Sequence, residues 1–155
     1  MGLRIPLKNI LSVSDTGTSG TVSKPFNIPQ DADSIVVRLY AGTFSGTSPT
    51  ADVYVQTSED GGTTWRDCVH FSQITAAVAL QNASFQPVSV AGAGGARGLT
   101  AYVGSVAAST AAAGVATGLP LLGTYNRVYI VYGGTIGTNS GINVDVLVPS
   151  QNMGV

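Results

Sequence analysis

Hydrophobic residues alternate with polar ones over short stretches, and turn residues separate these stretches. A period of two is typical of half-buried strands, because successive side chains of a strand point to opposite faces. The pattern predicts strands at residues 21–28, 34–40, 51–57, 64–71, 82–90, 99–103, 125–132 and 142–148. Residues 125–132 are apolar or aromatic except for Asn126 and Arg127, which predicts a strand in the centre of a sheet.

Three segments leave alternatives open. Residues 3–13 predict either an N-terminal arm or an edge strand, since Pro6 cannot donate a hydrogen bond in the middle of a sheet. Residues 74–80 could form a helical turn or a strand. Outside the strand at 99–103, residues 91–122 are rich in Ala, Gly, Ser and Thr, which predicts long loops or small-residue strands.

Glycine-rich segments mark the turns. Loops or turns are predicted at residues 42–50, 58–62, 133–134 and 137–141. Strict alternation within residues 64–71 places Trp65, Asp67, Val69 and Phe71 on one face and Arg66, Cys68 and His70 on the other. The same rule within residues 51–57 turns Asp52, Tyr54 and Gln56 outward.

Eight or nine short strands separated by turns predict an all-β fold, a two-sheet β-sandwich of the jelly-roll kind. A chain of 155 residues fits one domain. The predicted division is an extended N-terminal arm at residues 1–20 and a single β-sandwich domain at residues 21–155. A domain of this size buries a core that needs neither a disulfide nor a metal.

Composition narrows the function. Only 10% of the residues are charged and the net charge is −1, so the surplus of Lys and Arg that binds nucleic acid is missing. A surface with so little charge suits a protein that packs against neighbours. The one cysteine, Cys68, cannot form an internal disulfide, and no stretch has the roughly 18 apolar residues of a membrane span. The start lacks the apolar core of a signal peptide, which predicts a protein made in a cytoplasm, with no membrane partner.

A turn motif occupies residues 58–65. The sequence Ser-Glu-Asp-Gly-Gly-Thr-Thr-Trp fits the pattern Ser-x-Asp-x-Gly-x-Thr-Trp and resembles the Asp-box of sialidases and other β-rich proteins. The aspartate is expected to accept backbone N–H groups across the turn, and the tryptophan to pack underneath as a plug. The motif predicts a hairpin-stabilising role, without glycosidase activity, for Ser58, Asp60, Gly62, Thr64 and Trp65.

Other groupings are interpreted as structural. Cys68 and His70 could form a nucleophile pair, but the chain has no second histidine and no orienting residue follows. The glycine-rich residues 92–98 lack the Lys-Ser/Thr of a phosphate loop. The acidic residues near the turn, which do not fit a calcium loop, are Asp52, Glu59, Asp60 and Asp67. The strand arginines, which could pair with a carboxylate or reach a partner, are Arg38, Arg66 and Arg127. No catalytic residue, cofactor or metal site is predicted.

Three stretches together resemble small structural proteins of tailed-bacteriophage virions. They are residues 52–71, which include the hairpin ending in Trp-Arg-Asp, residues 125–132, a strand with one arginine, and residues 142–148, an alternating final strand. The family is that of head decoration and minor virion proteins. The resemblance implies a non-enzymatic decoration (cement) protein on the capsid surface that stabilises the assembled head. Its partners would be the major capsid protein or other virion subunits, and it would be a homo-oligomer, for which a trimer would suit.

The predicted contacts with neighbours lie mainly at the chain ends, because extended ends can add strands to other sheets. The candidate interface residues are Leu3, Arg4, Ile5, Pro6, Leu7 and Arg97. A tail or connector protein of the virion is the first alternative function, and a carbohydrate-binding β-sandwich is the second. The second would be favoured if Tyr40, Tyr54 and Tyr102 formed one stacking platform.

Overall fold

The computed structural model describes residues 7–16, 20–29, 32, 34–76, 78–89, 97–102, 115–116, 120–121, 125–138 and 140–149. Within these residues the chain forms eleven strands and no helix. The strands make two antiparallel sheets that pack face to face, so the fold is the all-β two-sheet sandwich that the alternating pattern predicts.

The strands are β1 (Leu7–Asp15), β2 (Gly20–Phe26), β3 (Ile35–Ala41), β4 (Gly46–Thr57), β5 (Arg66–His70), β6 (Val78–Ser89), β7 (Arg97–Tyr102), β8 (Val115–Ala116), β9 (Pro120–Leu121), β10 (Asn126–Ile136) and β11 (Ile142–Pro149). The six-stranded sheet has the order β1-β11-β3-β6-β7-β9. The five-stranded sheet has the order β2-β10-β4-β5-β8, so β10 is a central strand, as predicted.

The core lies between the sheets and is built from alternate residues of each strand. Ile35, Val37 and Leu39 of β3 are fully buried, and so are Val53 and Val55 of β4. Burial of a side chain of this size contributes about 1.5–3 kcal/mol to stability. Val53 and Val55 therefore face inward, as the outward positions predicted for the alternate residues of this strand imply, and the alternate residues of each sheet form an outer face.

Two strands extend further than the sequence indicated. β4 begins at Gly46, inside the loop predicted at residues 42–50, and β10 continues through Gly133 and Gly134 to Ile136. The predicted turn at Gly133 is therefore wrong. The register shifts between Gly133 and Thr135, and Gly134 has a φ of +70° there. Glycine accommodates the irregularity as a β-bulge, so the two strands stay paired instead of separating.

The N-terminal segment belongs to the sandwich. β1 pairs with β11 from Leu7 opposite Pro149 to Asp15 opposite Ile142. Between residues 7 and 15 the predicted arm is therefore an edge strand, which was the alternative for this segment, and the sandwich begins before residue 21. Backbone hydrogen bonds to β11 are the physical reason, because they hold this segment against the sheet. The other residues of the predicted arm that precede β1 lie outside the described residues.

Strands occur in the described part of residues 74–121, where the sequence left alternatives open. Ile74 forms an isolated bridge with Ala51, and β6 begins at Val78, so residues 78–80 are strand. Two short strands, β8 and β9, occur within residues 91–122, for which the sequence predicted either long loops or small-residue strands. β7 covers most of the strand predicted at residues 99–103 and also includes Arg97.

A hydrogen bond connects the two sheets beside β1. The hydroxyl of Tyr132 in β10 donates to Oδ2 of Asp15 at the end of β1, at 2.5 Å. Burial raises the pKa of Tyr132, and the carboxylate of Asp15 raises it further. The phenol therefore stays protonated and remains a donor that holds the end of β1 against the five-stranded sheet.

Candidate functional site

The turn between β4 and β5 is held by two side chains. The hydroxyl of Ser58 accepts the N–H of Gly62 at 2.8 Å and donates to Oδ1 of Asp60 at 2.8 Å. The same carboxylate oxygen accepts the backbone N–H of Thr63 at 3.1 Å and of Thr64 at 2.7 Å. These are the contacts expected of the Ser-x-Asp pattern, and they close the hairpin on itself.

The stability of the protein is expected to decrease as pH falls toward 2, partly through Asp60. Hydrogen bonds from Thr64, then Ser58 and Thr63, lower the pKa of Asp60 to about 2 from an ordinary 3.8. The contribution of this carboxylate is fully present above its unfolded pKa and is lost as pH falls through the folded one. Urea unfolding at several pH values between 5 and 2 should therefore show a shallower pH dependence for Asp60→Asn, whose amide cannot titrate. Equal slopes for the two proteins would contradict the prediction.

Trp65 joins this turn to the outer face of the five-stranded sheet. A Cβ atom at Gly62 would lie 3.5 Å from the indole ring, so the ring packs beside the turn. The guanidinium carbon of Arg127 lies 4.1 Å from the centre of a Trp65 ring and 4.4 Å from that of Tyr129. Trp65 remains partly exposed. The predicted plug therefore packs on the arginine at the surface and is not part of the core, because the guanidinium offers the ring a cationic partner.

The ring contacts continue across three neighbouring strands. Tyr129 of β10, Tyr54 of β4 and His70 of β5 lie directly opposite one another. The rings of Tyr54 and Tyr129 have centroids 6.3 Å apart, and Tyr54 stacks on His70 at 4.2 Å with 19° between the planes. We name Trp65, Arg127, Tyr129, Tyr54 and His70 the aromatic row. All five side chains are partly exposed, so the row forms a continuous surface on the outer face.

Hydrogen bonds fix one end of the aromatic row. Nε of Arg127 donates to Oε1 of Gln56 at 2.6 Å, and Nε2 of Gln56 donates to Oδ1 of Asp67 at 2.6 Å. Nη1 of Arg127 also reaches the hydroxyl of Ser23 at 3.4 Å. Partial burial lowers the pKa of Arg127, but an arginine remains charged at neutral pH. The guanidinium is thus held in one orientation against its two rings.

A second set of hydrogen bonds fixes the other end. Nε2 of His70 lies 3.1 Å from Oδ1 of Asp52, and Nε2 of Gln73 donates to Oδ2 of Asp52 at 3.0 Å. Burial, followed by the charges of Asp52 and Asp67, raises the pKa of Tyr54. Tyr54 is therefore a neutral phenol at physiological pH, and its ring is held between defined neighbours.

A bulge in β5 separates Cys68 from His70. Val55 pairs with Val69 but Gln56 pairs with Asp67, so Cys68 is an extra residue with no opposite position. Cys68 is fully buried, whereas His70 is on the outer face. The predicted common face of Cys68 and His70 is therefore wrong, because the bulge interrupts the alternation, and the structure does not bring the two together as a nucleophile pair.

Cys68 is expected to be unreactive in the folded protein. Burial, together with the charge of Asp67, raises the pKa of the Cys68 thiol to about 12 from an ordinary 9.0. Such a shift lowers the thiolate fraction at pH 8 about a thousandfold. A disulfide reagent should modify no thiol in buffer and one thiol per chain in guanidinium chloride. A Ser23→Cys variant, exposed on β2, is the control and should react in buffer. Rapid native reaction of the unmodified chain would contradict the prediction.

The acidic residues near the turn do not assemble into a site. Asp60 bonds the turn and Asp67 bonds Gln56, while Glu59 lies 3.8 Å from Arg66 in an exposed ion pair. No group of three or more His, Cys, Asp or Glu side chains that could hold a metal occurs among the described residues. Each of these three carboxylates has a separate partner, so they stabilise local structure and do not converge on one point.

The tyrosines named from the sequence do not form one platform in the described part of the chain. Tyr40 is 48% exposed on the outer face of the six-stranded sheet, and Tyr54 is on that of the five-stranded sheet. They are on opposite sides of the sandwich. The side chain of Tyr102 lies outside the described residues.

Four of the six candidate interface residues fall outside the part of the chain that the structure describes. Leu3, Arg4, Ile5 and Pro6 lie outside the described residues, while Leu7 and Arg97 begin β1 and β7.

The sequence did not identify Tyr129 and Arg127 as members of one surface with Tyr54. Their spacing of two along β10 was a usable signal, but the register between β10 and β4 that completes the row is not visible in the sequence.

Among the residues described, no helix is long and apolar enough to cross a membrane. Comparison of the chain with models of protein families, with curated proteins and with solved structures finds no match in any of the three.

Proposed function

We propose that the chain is a non-enzymatic structural protein of a bacteriophage virion, and specifically a decoration protein that binds the outer surface of an assembled head and stabilises it. The observation that carries the proposal is the aromatic row on the outer face of the five-stranded sheet. Trp, Tyr and Arg are the residue types that dominate the centres of protein–protein interfaces.

The row is ordered before any partner arrives. Its ring contacts and its hydrogen bonds to Gln56 and Asp52 hold each side chain in place. Ordering flexible side chains at an interface costs about 0.5–1.5 kcal/mol for each one, and a pre-ordered surface avoids much of this cost. A rigid sheet face is therefore suited to docking on another rigid surface, such as a protein shell.

The charges around the row indicate the chemistry of the partner. Asp52 and Asp67 lie on the face, and Glu59 and Asp60 lie in the adjoining turn. The cations in the same region are Arg66 and Arg127. An acidic margin favours a partner surface that carries Lys or Arg. Many copies on a symmetric shell then multiply a modest contact into high avidity.

The order of the strands supports a jelly roll. β1 pairs with β11, β2 with β10, β3 with β6, and β4 with β5. This nesting is what a long antiparallel ribbon gives when it is rolled into two sheets, and β7 to β9 are then an insertion. Jelly rolls occur in viral capsid and lectin domains, so the fold is an argument by analogy.

Co-sedimentation tests the proposal. Heads of the phage that lack the protein should bind the purified chain saturably, and the loaded heads should resist heat better than bare ones. Tyr54→Ala removes the ring that joins Tyr129 to His70 and should weaken binding at least tenfold. Tyr40→Ala removes an exposed tyrosine from the opposite face and should leave binding unchanged. Absence of binding to expanded heads by a folded chain would overturn the proposal.

The two other functions give different results. A tail or connector protein should assemble into rings or tubes by itself, which light scattering and electron microscopy would show. A carbohydrate-binding module should bind glycans as an isolated chain. The row supports this last function less well, because Tyr54 and His70 cover a face of each other and Arg127 covers faces of Trp65 and Tyr129. Sugars stack on open ring faces.

A further inference from the structure

Both lysines of the chain lie in edge strands on the same side of the sandwich. Lys8 is in β1 and Lys24 is in β2. β1 ends the six-stranded sheet and β2 ends the five-stranded sheet, and the two strands are next to each other. We name the side formed by β1 and β2 the open edge.

Each lysine is on the core-facing side of its strand. Lys24 lies opposite Val128 of β10, and Lys8 lies opposite Val148 of β11. Both valines are members of the hydrophobic core, and directly opposite residues in an antiparallel pair point to the same face. The two lysines are nevertheless exposed. Their stems therefore leave the rim of the core, and their ammonium groups reach water.

We propose that Lys8 and Lys24 prevent a second copy of this chain from adding a strand to the open edge. An edge strand presents unpaired N–H and C=O groups that another strand can use. A strand added beside β2 would place its own side chain next to Lys24 and take the ammonium group out of water. Burial of an unpaired charge is strongly unfavourable, so the pairing is opposed at each lysine.

The positions of the charges match the edges that need protection. β1 has nine residues and β2 has seven, whereas the opposite edges, β9 and β8, have two residues each in the described part of the chain. Two residues offer too little backbone for stable pairing. Arg38 and Arg66, by contrast, lie in β3 and β5, which have a neighbouring strand on both sides. This inference concerns the isolated chain and does not depend on binding to a capsid.

The test is the association state of Lys8→Val, Lys24→Val and the double variant, measured by size exclusion with light scattering over a wide range of concentration. We expect the double variant to form larger species at a concentration at least tenfold lower than the unmodified chain does. The variant has a net charge of −3, that is −1 minus two. Greater net charge favours solubility, so increased association cannot be assigned to the loss of charge as such.

Matched variants show whether association occurs at the open edge or follows from replacing any two charged residues by valine. Arg38→Val with Arg66→Val makes the same change of net charge on strands that are already paired, and should associate as the unmodified chain does. A Ser23→Cys substitution in β2 should form intermolecular disulfides on oxidation only in the Lys8→Val, Lys24→Val background. The proposal is overturned if the lysine and arginine double variants associate equally. For β2, it is also overturned if the Lys24→Val variant associates without the Ser23→Cys crosslink.

Discussion

Gly134→Ala is expected to remove a large part of the free energy that stabilises the sandwich. A Cβ atom at this position would lie 2.0 Å from the carbonyl oxygen of Ser48 and 2.9 Å from that of Thr47. Gly134 also has a φ of +70°, which costs an alanine about 1–2 kcal/mol. Since the clashing atoms are backbone, β4 and β10 would have to separate and lose hydrogen bonds worth about 1 kcal/mol each. We expect a total loss of about 4 kcal/mol, against a usual stability of roughly 5–15 kcal/mol.

Gly61→Ala separates the strain of the backbone from the clash. Gly61 has nearly the same φ, +74°, but no atom lies within 4 Å of the place its Cβ would take. Gly61→Ala should therefore lower the free energy of unfolding by only about 1–2 kcal/mol. Urea unfolding followed by the fluorescence of Trp65, the chain's one tryptophan, measures both variants. If Gly134→Ala cost no more than Gly61→Ala, the close approach of β4 and β10 would be disproved.

The alternation of side chains was enough to predict the sandwich and its inward faces. Val53 and Val55 face the core because a strand has only two faces and one of them is apolar. Alternation failed where a bulge adds a residue, at Cys68, and where Gly134 allows a strand to continue through a turn signal. Both departures depend on the partner strand, and a local pattern carries no information about that partner.

The aromatic row could be predicted only in pieces. The outward direction of Tyr54 and Gln56 follows from the sequence, and so does the spacing of Arg127 and Tyr129. The chain separation between Tyr54 and Tyr129 is large, and they meet because β10 pairs with β4 in one particular register. The Asp60 turn is local, so its hydrogen bonds could be anticipated from a few adjacent residues. The aromatic row depends on pairing between strands that are distant in the sequence, so it could not be anticipated in the same way.

Arg127→Ala should reduce binding to the phage head about thirtyfold or more. Arg127 contacts two rings of the aromatic row and donates to Gln56, so it connects the turn at Trp65 to the strand pair. Loss of about 2 kcal/mol of binding energy is the usual threshold for a central interface residue, and it corresponds to this change in affinity. The variant should remain folded, because exposed cation–π contacts contribute only about 0.5–1 kcal/mol each. Co-sedimentation with heads that lack the protein gives the affinity.

Two further variants decide whether the geometry or only the charge of Arg127 matters. Arg127→Lys keeps the positive charge but lacks the planar group that stacks on Trp65 and Tyr129, so it should bind nearly as weakly as Arg127→Ala. Arg38→Ala removes a charge from the opposite outer face and should bind like the unmodified chain. Full binding by Arg127→Lys would show that the guanidinium acts through charge alone. Equal weakening by Arg38→Ala and Arg127→Ala would place the docking surface elsewhere, since the two side chains are on opposite sides of the sandwich.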